Sequence, residues 1–313
     1  MTKAKKACYR VTNWREYNES LVRRGDITLW FSEEALASWE HANNAIKIGR
    51  PFTYSDGAIE CLLTLRELFR LPYRQTEGLG RALVTLLDAD VAIPDFTSLA
   101  KRAAKLGVSL EVSPTSGPID VVVDSTGLKV FGAGEWRSQA YRTPKRRSWR
   151  KLHLSINGAT QESVAEVLTS NRVDDADMVP ELLAQAGSPA AKLYGDGAYD
   201  KWKLYDGLAQ AGIQPVIPPR KGASIRKHGN CAGPRLPRDE AVRGVRRLGR
   251  KGWKRQSGYH RRSLVETSMS RLKQAFGPRL KNKADENQRT EARLRCKLLN
   301  NFTRLGLPIF RWD

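Results

Sequence analysis

Between residues 119 and 217 the apolar period changes again and again, and that succession limits the fold more than any other feature of the chain. IDVVVDSTGLKVFG carries a Val-rich strand broken at Asp124. KLHLSINGATQESVAEVLT reads as a hairpin with its turn at Asn157-Gly158. DDADMVPELLAQAG follows as a helix, AKLYGDGAYD as a short strand ending at a glycine-flanked Asp196, KWKLYDGLAQAG as a helix closed by Gly212, and IQPVIPPR as a strand closed by prolines. The order is three strands, helix, strand, helix, strand. An antiparallel start passing into alternating α and β units predicts an α/β fold, a mixed sheet with helices on its faces.

The first third has no such strands. ITLWFSEEALASWEHANN, YSDGAIECLLTLRELFRL, LPYRQTEGLGRALVTLLD and IPDFTSLAKRAAKLG repeat apolar residues at helical spacing, with Ser32 and Asp95 as expected N-caps and Gly107 as a stop. Two of these helices with a tight join and a basic second member resemble a helix-turn-helix. EVSPTSGP has linker composition. The chain therefore divides into an all-helical N-terminal domain, residues 1–113, and an α/β domain, residues 114–313.

The 313 residues carry a net charge of +21, which implies a polyanionic partner, most often nucleic acid. No apolar run approaches the roughly 18 residues of a spanning helix, so a membrane is not expected. The N-terminus lacks the apolar stretch of a signal peptide. Cys8, Cys61, Cys231 and Cys296 form no C-x-x-C pair, and His41, His153, His228 and His260 are isolated; neither a zinc site nor a disulfide framework is expected, and a reducing cytoplasm is.

Two stretches concentrate the positive charge. RTPKRRSWRK leads into the second strand, and residues 220–258 are rich in Arg, Lys, Gly and Pro, which reads as a basic loop. Solubility would explain either; two runs beside candidate carboxylates favour a track for a phosphate backbone. Within them, Arg150 and Lys151 are expected to face phosphate while Trp149 packs under the sheet edge. Trp253 is either a packed side chain or a wedge into a distorted base step.

YHRRSLVETSMSRLK, residues 259–273, has helical spacing. At about 100° per residue, Tyr259, Arg262, Glu266 and Lys273 fall within about 60° of one another, beside an apolar arc of Val265, Met269, Leu272 and Phe276. Arg262 and Glu266 could simply form an i, i+4 surface pair. Alternatively, Glu266 joins Asp124 and Asp196 at the carboxyl ends of the strands, where sites of open α/β sheets collect. Three convergent carboxylates repel one another and need a cation, and oxygen ligands suit Mg²⁺ or Mn²⁺. Two such ions can support an in-line phosphoryl transfer. Asp120 begins the strand that Asp124 ends, with the same side parity; Asp200 reads as a helix cap, and Asp174, Asp175 and Asp177 as cap and loop residues.

The order Asp124, Asp196, Glu266, with Tyr259, Arg262 and Lys273 in Y-x2-R-x3-E-x6-K spacing, resembles bacterial insertion-sequence transposases of the DDE class. VVVDSTGLKVFGAGEW, WRKLHLSIN, YGDGAYD and VIPPR are similar to that family's strand motifs, and NWREYNESLVRRGDITLWFSEEA to the N-terminal segment of insertion-sequence family five. The resemblance implies a ribonuclease-H-like catalytic domain in which Asp124, Asp196 and Glu266 bind two Mg²⁺ ions. It implies hydrolysis at the ends of the protein's own mobile element and attack of the freed 3′ hydroxyls on target DNA. It also implies DNA contacts from Tyr259, Arg262 and Lys273, an N-terminal domain reading terminal inverted repeats, a homodimer on paired ends, and work at the bacterial nucleoid. A catalytically silent DNA-binding protein and a general ribonuclease-H-like nuclease are the alternatives.

Overall fold

The computed structural model describes residues 9–31, 33–42, 51–130, 149–228 and 233–312. Ser32, Cys8, Cys231 and residues 142–148 of the first basic cluster lie outside these. In chain order the elements begin with β1 (Tyr9–Val11), α1 (Trp14–Arg23), α2 (Glu33–Ala37), α3 (Asp56–Leu68), α4 (Tyr73–Leu86) and α5 (Phe96–Ala103). Next come β2 (Ile119–Val130), β3 (Trp149–Asn157), β4 (Ser163–Ser170), α6 (Val179–Gln185), β5 (Ala190–Tyr194), α7 (Trp202–Gln210) and β6 (Gln214–Val216). The last are α8 (Pro237–Gln256), α9 (Ser263–Phe276), β7 (Arg279–Leu280), α10 (Asp285–Leu305) and β8 (Phe310–Trp312).

The chain divides into two compact units, residues 1–107 with 300–313, and residues 108–299. In the first, α3, α4 and α5 pack around Ile59, Leu62, Leu65 and Leu99, all fully buried. Ser55 caps α3 through Ala58 N–H, and Asp95 caps α5 through the N–H groups of Thr97 and Ser98. Two expectations change. The unit is not all helical, because β1 pairs antiparallel with β8, Tyr9 opposite Trp312; strands of three residues from opposite chain ends leave no local period to read. Residues 87–95 separate α4 from α5, longer than the three- or four-residue turn of a helix-turn-helix.

The second unit is a mixed α/β fold. Its six-stranded sheet runs β4-β3-β2-β5-β6, with β7 also on β2. β2, β3 and β4 are antiparallel neighbours; β5, β6 and β7 add in parallel. The element order up to β6 is the one expected from the sequence. Side chains alternate across β2. Val121 and Val123 face one side and join Val179 and Leu182 of α6 and Leu204 and Leu208 of α7 in one core. On the other side α9 packs on β2 and β3, burying Val265, Met269, Leu272 and Phe276. Each such burial contributes about 1.5–3 kcal/mol, which fixes the helix on the sheet.

Three local differences have plain physical causes. β2 is not broken at Asp124 but runs on to Val130, because β3 pairs with it continuously from Val121 to Lys129. The hairpin loop spans residues 158–162 rather than a two-residue turn. Its left-handed residue is Gln161 (φ 59°), while Gly158 donates its N–H to Asp120 O at 2.7 Å. And the presumed basic loop contains α8, broken only at Gly249 (φ 68°, ψ 163°). Its apolar residues are too few to show a period, but side chains tie it down, as described below.

One buried acid has consequences for stability. Glu166, on β4, lies beside Arg293 at 3.3 Å, yet burial outweighs the guanidinium and pushes its carboxyl up to about 7. A carboxyl that holds its proton more tightly when folded lends stability below about pH 4.5 that is lost as pH rises through 7. At about 1.4 kcal/mol per unit, the loss is about 3 kcal/mol. Glu166→Gln should flatten the dependence of melting temperature on pH between about 4.5 and 7. An unchanged slope would mean that Glu166 is ionised in the folded protein.

Candidate active site

β2 has two edges. β3 covers one along its length. On the other, β5 stops at Tyr194, opposite Val122, and β7 begins opposite Lys129. The edge between is open, and Asp124 sits in this gap. Continuing the β2–β5 register by two residues sets Asp196 level with Asp124. The two aspartates come level because a neighbouring strand ends, not because β2 does.

Each carboxylate is held differently. Asp124 Oδ1 accepts the Ser125 N–H at 2.8 Å, and Oδ2 accepts Arg262 Nη2 at 3.1 Å. Asp196 turns the chain after β5, its Oδ1 accepting Ala198 N–H at 2.7 Å. Glu266, in the first turn of α9, is exposed and pairs with the same Arg262 nitrogen at 2.7 Å. So the i, i+4 pair does form, and the same guanidinium also bridges to Asp124.

The electrostatics agree with a shared site. Burial raises the Asp124 carboxyl above its usual range; the Ser125 N–H and Arg262 oppose this, while Asp196 and Glu266 add to it. Burial would lower the Arg262 guanidinium, but Asp124, Tyr259 and Glu266 overcome that and raise it. Among the described residues no three His, Cys, Asp or Glu side chains stand close enough to share one ion. Arg262 occupies the space between two of the three carboxylates. Among the described residues, Asp196 Oδ2 and Glu266 Oε2 take no hydrogen bond.

The rest of the signature divides. Tyr259 is not on α9 but in a 3-10 turn, Tyr259–Arg262, before it. It is buried, and burial raises its phenol, with Arg262 opposing and Asp196 adding. Lys273, in the last turn of α9, is half-buried, and its amine has no hydrogen bond or ion pair among the described residues.

The remaining sequence-predicted contacts move inward. Trp253 is buried, its ring 6.1 Å from that of Tyr259 and so close over Gly244 that a Cβ there would lie 2.7 Å from it. It packs α8 on itself and on the Tyr259 turn, and does not present a base wedge. Arg150 and Lys151 are successive strand residues and so point to opposite faces. Arg150 pairs with Asp285 and donates to Gln288; Lys151 donates to Val173 O at 2.8 Å and lies 3.2 Å from Asp175. They do not face one phosphate strand together. Trp149 is partly exposed at the end of β3, with Lys129 Nζ 5.4 Å from its ring centre.

Four of the other acids have ionic partners. Asp120, on the face of Asp124, is paired with Arg261. Asp174 caps the turn at Ala176 and pairs with Lys201 at 2.6 Å. Asp175 lies between Lys151 and the fully buried His153, and these with Ser125 hold its carboxyl down at about 2 against the opposing effect of burial. Asp200 is inside, against Arg238. The sequence reading missed Arg220 and Arg238. Arg220 closes the VIPPR segment, which could have pointed to it; nothing in spacing singles out Arg238 from so basic a stretch.

Two family models match the chain, each described as a transposase DDE domain, over residues 22–133 and 115–300. No solved structure gives a significant match. The second match alone covers more than half of the 313 residues and contains β2, β5 and α9 with the three carboxylates. The chain belongs to the family of transposases with a DDE domain.

Proposed function

We propose that the protein cleaves the phosphodiester bonds at the ends of its own insertion sequence and joins the freed 3′ hydroxyls to target DNA. The observation that carries this is the open edge of β2, where Asp124 and the Asp196 turn lie level and Glu266 reaches Asp124's guanidinium partner. In this reading the second unit is ribonuclease-H-like, and the first reads the terminal inverted repeats. Paired ends would be held by a homodimer working at the bacterial nucleoid.

The carboxylates suit a hard divalent cation in the kind of donor, Mg²⁺ or Mn²⁺, and two of their oxygens are unengaged. They do not yet converge, since Arg262 supplies the counter-charge. When bound, such ions stabilise the charge that builds on attacking and leaving oxygens. The chain's own residues do the holding. Asp124 is fixed by the Ser125 N–H and by its place mid-strand, and Asp196 by its cap on the following turn. Arg262, once drawn from its carboxylates, and Lys273 offer charged donors to a phosphate on the α9 side. Arg247, Lys251 and Arg255 of α8 are exposed, and among the described residues their side chains have no hydrogen bond or ion pair, which supports a backbone track along this helix.

Incubation with DNA carrying the element's ends should give Mg²⁺-dependent cuts at those ends and joined products with target DNA. Cuts spread without regard to the ends would favour a general nuclease, and binding without any cut a silent DNA-binding protein. Lys273→Ala should weaken binding across DNA sequences and reduce the salt slope by about one. An unchanged slope would return Lys273 to a solvated face.

A further inference from the structure

Asp200 has the spacing of a helix cap but does not act as one. α7 starts from Lys201 with no side-chain cap, and the Asp200 carboxylate is turned fully inside. Its Oδ1 accepts Arg238 Nε at 2.6 Å; its Oδ2 accepts Arg238 Nη2 at 3.1 Å and the Arg220 N–H at 2.8 Å. The Arg238 guanidinium lies over Trp202, 4.5 Å from the ring centre. Arg220 then reaches back. Its Nε donates to Gly197 O at 3.2 Å and its Nη2 to Ala198 O at 3.4 Å. Those are carbonyls of the turn that Asp196 caps.

Arg238 is in the first turn of α8. Past the break at Gly249, Trp253 packs back over Gly244 and on Tyr259, and the chain passes through Gly258 (φ 69°) into the turn that carries Arg262. α8 is thus tied at one end to the Asp196 turn and at the other to the row that holds Glu266. A buried bidentate pair adds little net stability compared with apolar side chains of the same size. What it fixes is geometry, since the fork of the guanidinium admits one orientation of the carboxylate.

We propose that Arg238, Asp200 and Arg220 are positioning residues that hold the Asp196 turn in place against the Tyr259–Glu266 row, with α8 as the link. The proposal rests on the reading of Asp196 as a metal ligand. Partners behind a metal ligand commonly change metal affinity by about 10- to 100-fold when removed.

The test measures Mn²⁺ binding by the whole protein without DNA, from the electron paramagnetic resonance of free Mn²⁺, together with amide hydrogen exchange over residues 197–199. Asp200→Asn and Arg220→Ala should each weaken Mn²⁺ binding about 10-fold and speed exchange at Ala198 and Tyr199, with affinity for duplex DNA nearly unchanged. A pair that is only structural would lower the melting temperature and leave the Mn²⁺ affinity of the folded variants as in the wild type; that outcome overturns the proposal. Where Asp200→Asn fails to fold, Arg220→Ala decides, because its side chain is exposed. Asp196→Asn is the control: if it leaves Mn²⁺ binding unchanged, the reading of Asp196 fails, and not the positioning network alone.

Discussion

Asp196→Asn should keep DNA binding and lose Mg²⁺-dependent cleavage of element ends by on the order of 10³-fold. The magnitude follows from the several kcal/mol that a bound cation contributes to transition-state charge, at about 1.4 kcal/mol per tenfold in rate. The substitution is close to isosteric. Its amide oxygen can still accept the Ala198 N–H, so the turn should survive. Asp124→Asn and Glu266→Gln should behave alike, though Asp124 will also cost stability, because its Oδ2 is a half-buried partner of Arg262. Cleavage at the wild-type rate by any of the three would remove that residue from the site.

Arg262→Gln should move two measurements in opposite directions. Cleavage should fall, because the guanidinium that would grip phosphate is gone. Mn²⁺ binding to the DNA-free protein should rise, because a cation no longer competes for Asp124 and Glu266. Hydrogen bonds to charged groups contribute about 1.5–3 kcal/mol, and part of that is recovered by the competing ion, so a gain of about tenfold is expected. Equal Mn²⁺ affinity in the two proteins would mean that Arg262 does not stand where the ion binds. On this account the same competition would link the two ligands in the wild type: DNA that draws Arg262 away would make the carboxylates available, and by linkage the cation would favour DNA to the same degree.

The mixed sheet was legible because its strands carry a strong period and Val-rich composition, and the order of elements along the chain up to β6 followed from the changes of period. The three carboxylates were singled out by their places, two on apolar strands and one on the helical stripe of residues 259–273. What spacing could not give was how Asp124 is exposed. It looks like a strand end, yet the opening comes from β5, which stops opposite Val122. Pairing partners are distant in sequence, and no local pattern encodes where a neighbour ends. α8 was hidden for a different reason. Its helix is stabilised by Asp239 accepting the N–H groups of Arg226 and Lys227, by Arg238 on Asp200, and by Trp253 over Gly244, rather than by an apolar stripe. Trp253 itself shows the limit of composition: an aromatic in a basic stretch fits a wedge and a packed side chain equally, and only burial separates them. Arg150 and Lys151 could have been separated in advance by strand alternation alone.

The most direct measurement of the central claim is a single-turnover cleavage of DNA carrying two element ends, with Mg²⁺ and with the metal chelated, followed by analysis of the cut termini. The expected result is cleavage at the ends only with Mg²⁺, leaving free 3′ hydroxyls and no protein attached to the DNA. Cleavage that persists in chelator, or a covalent link between protein and a DNA end, would contradict it.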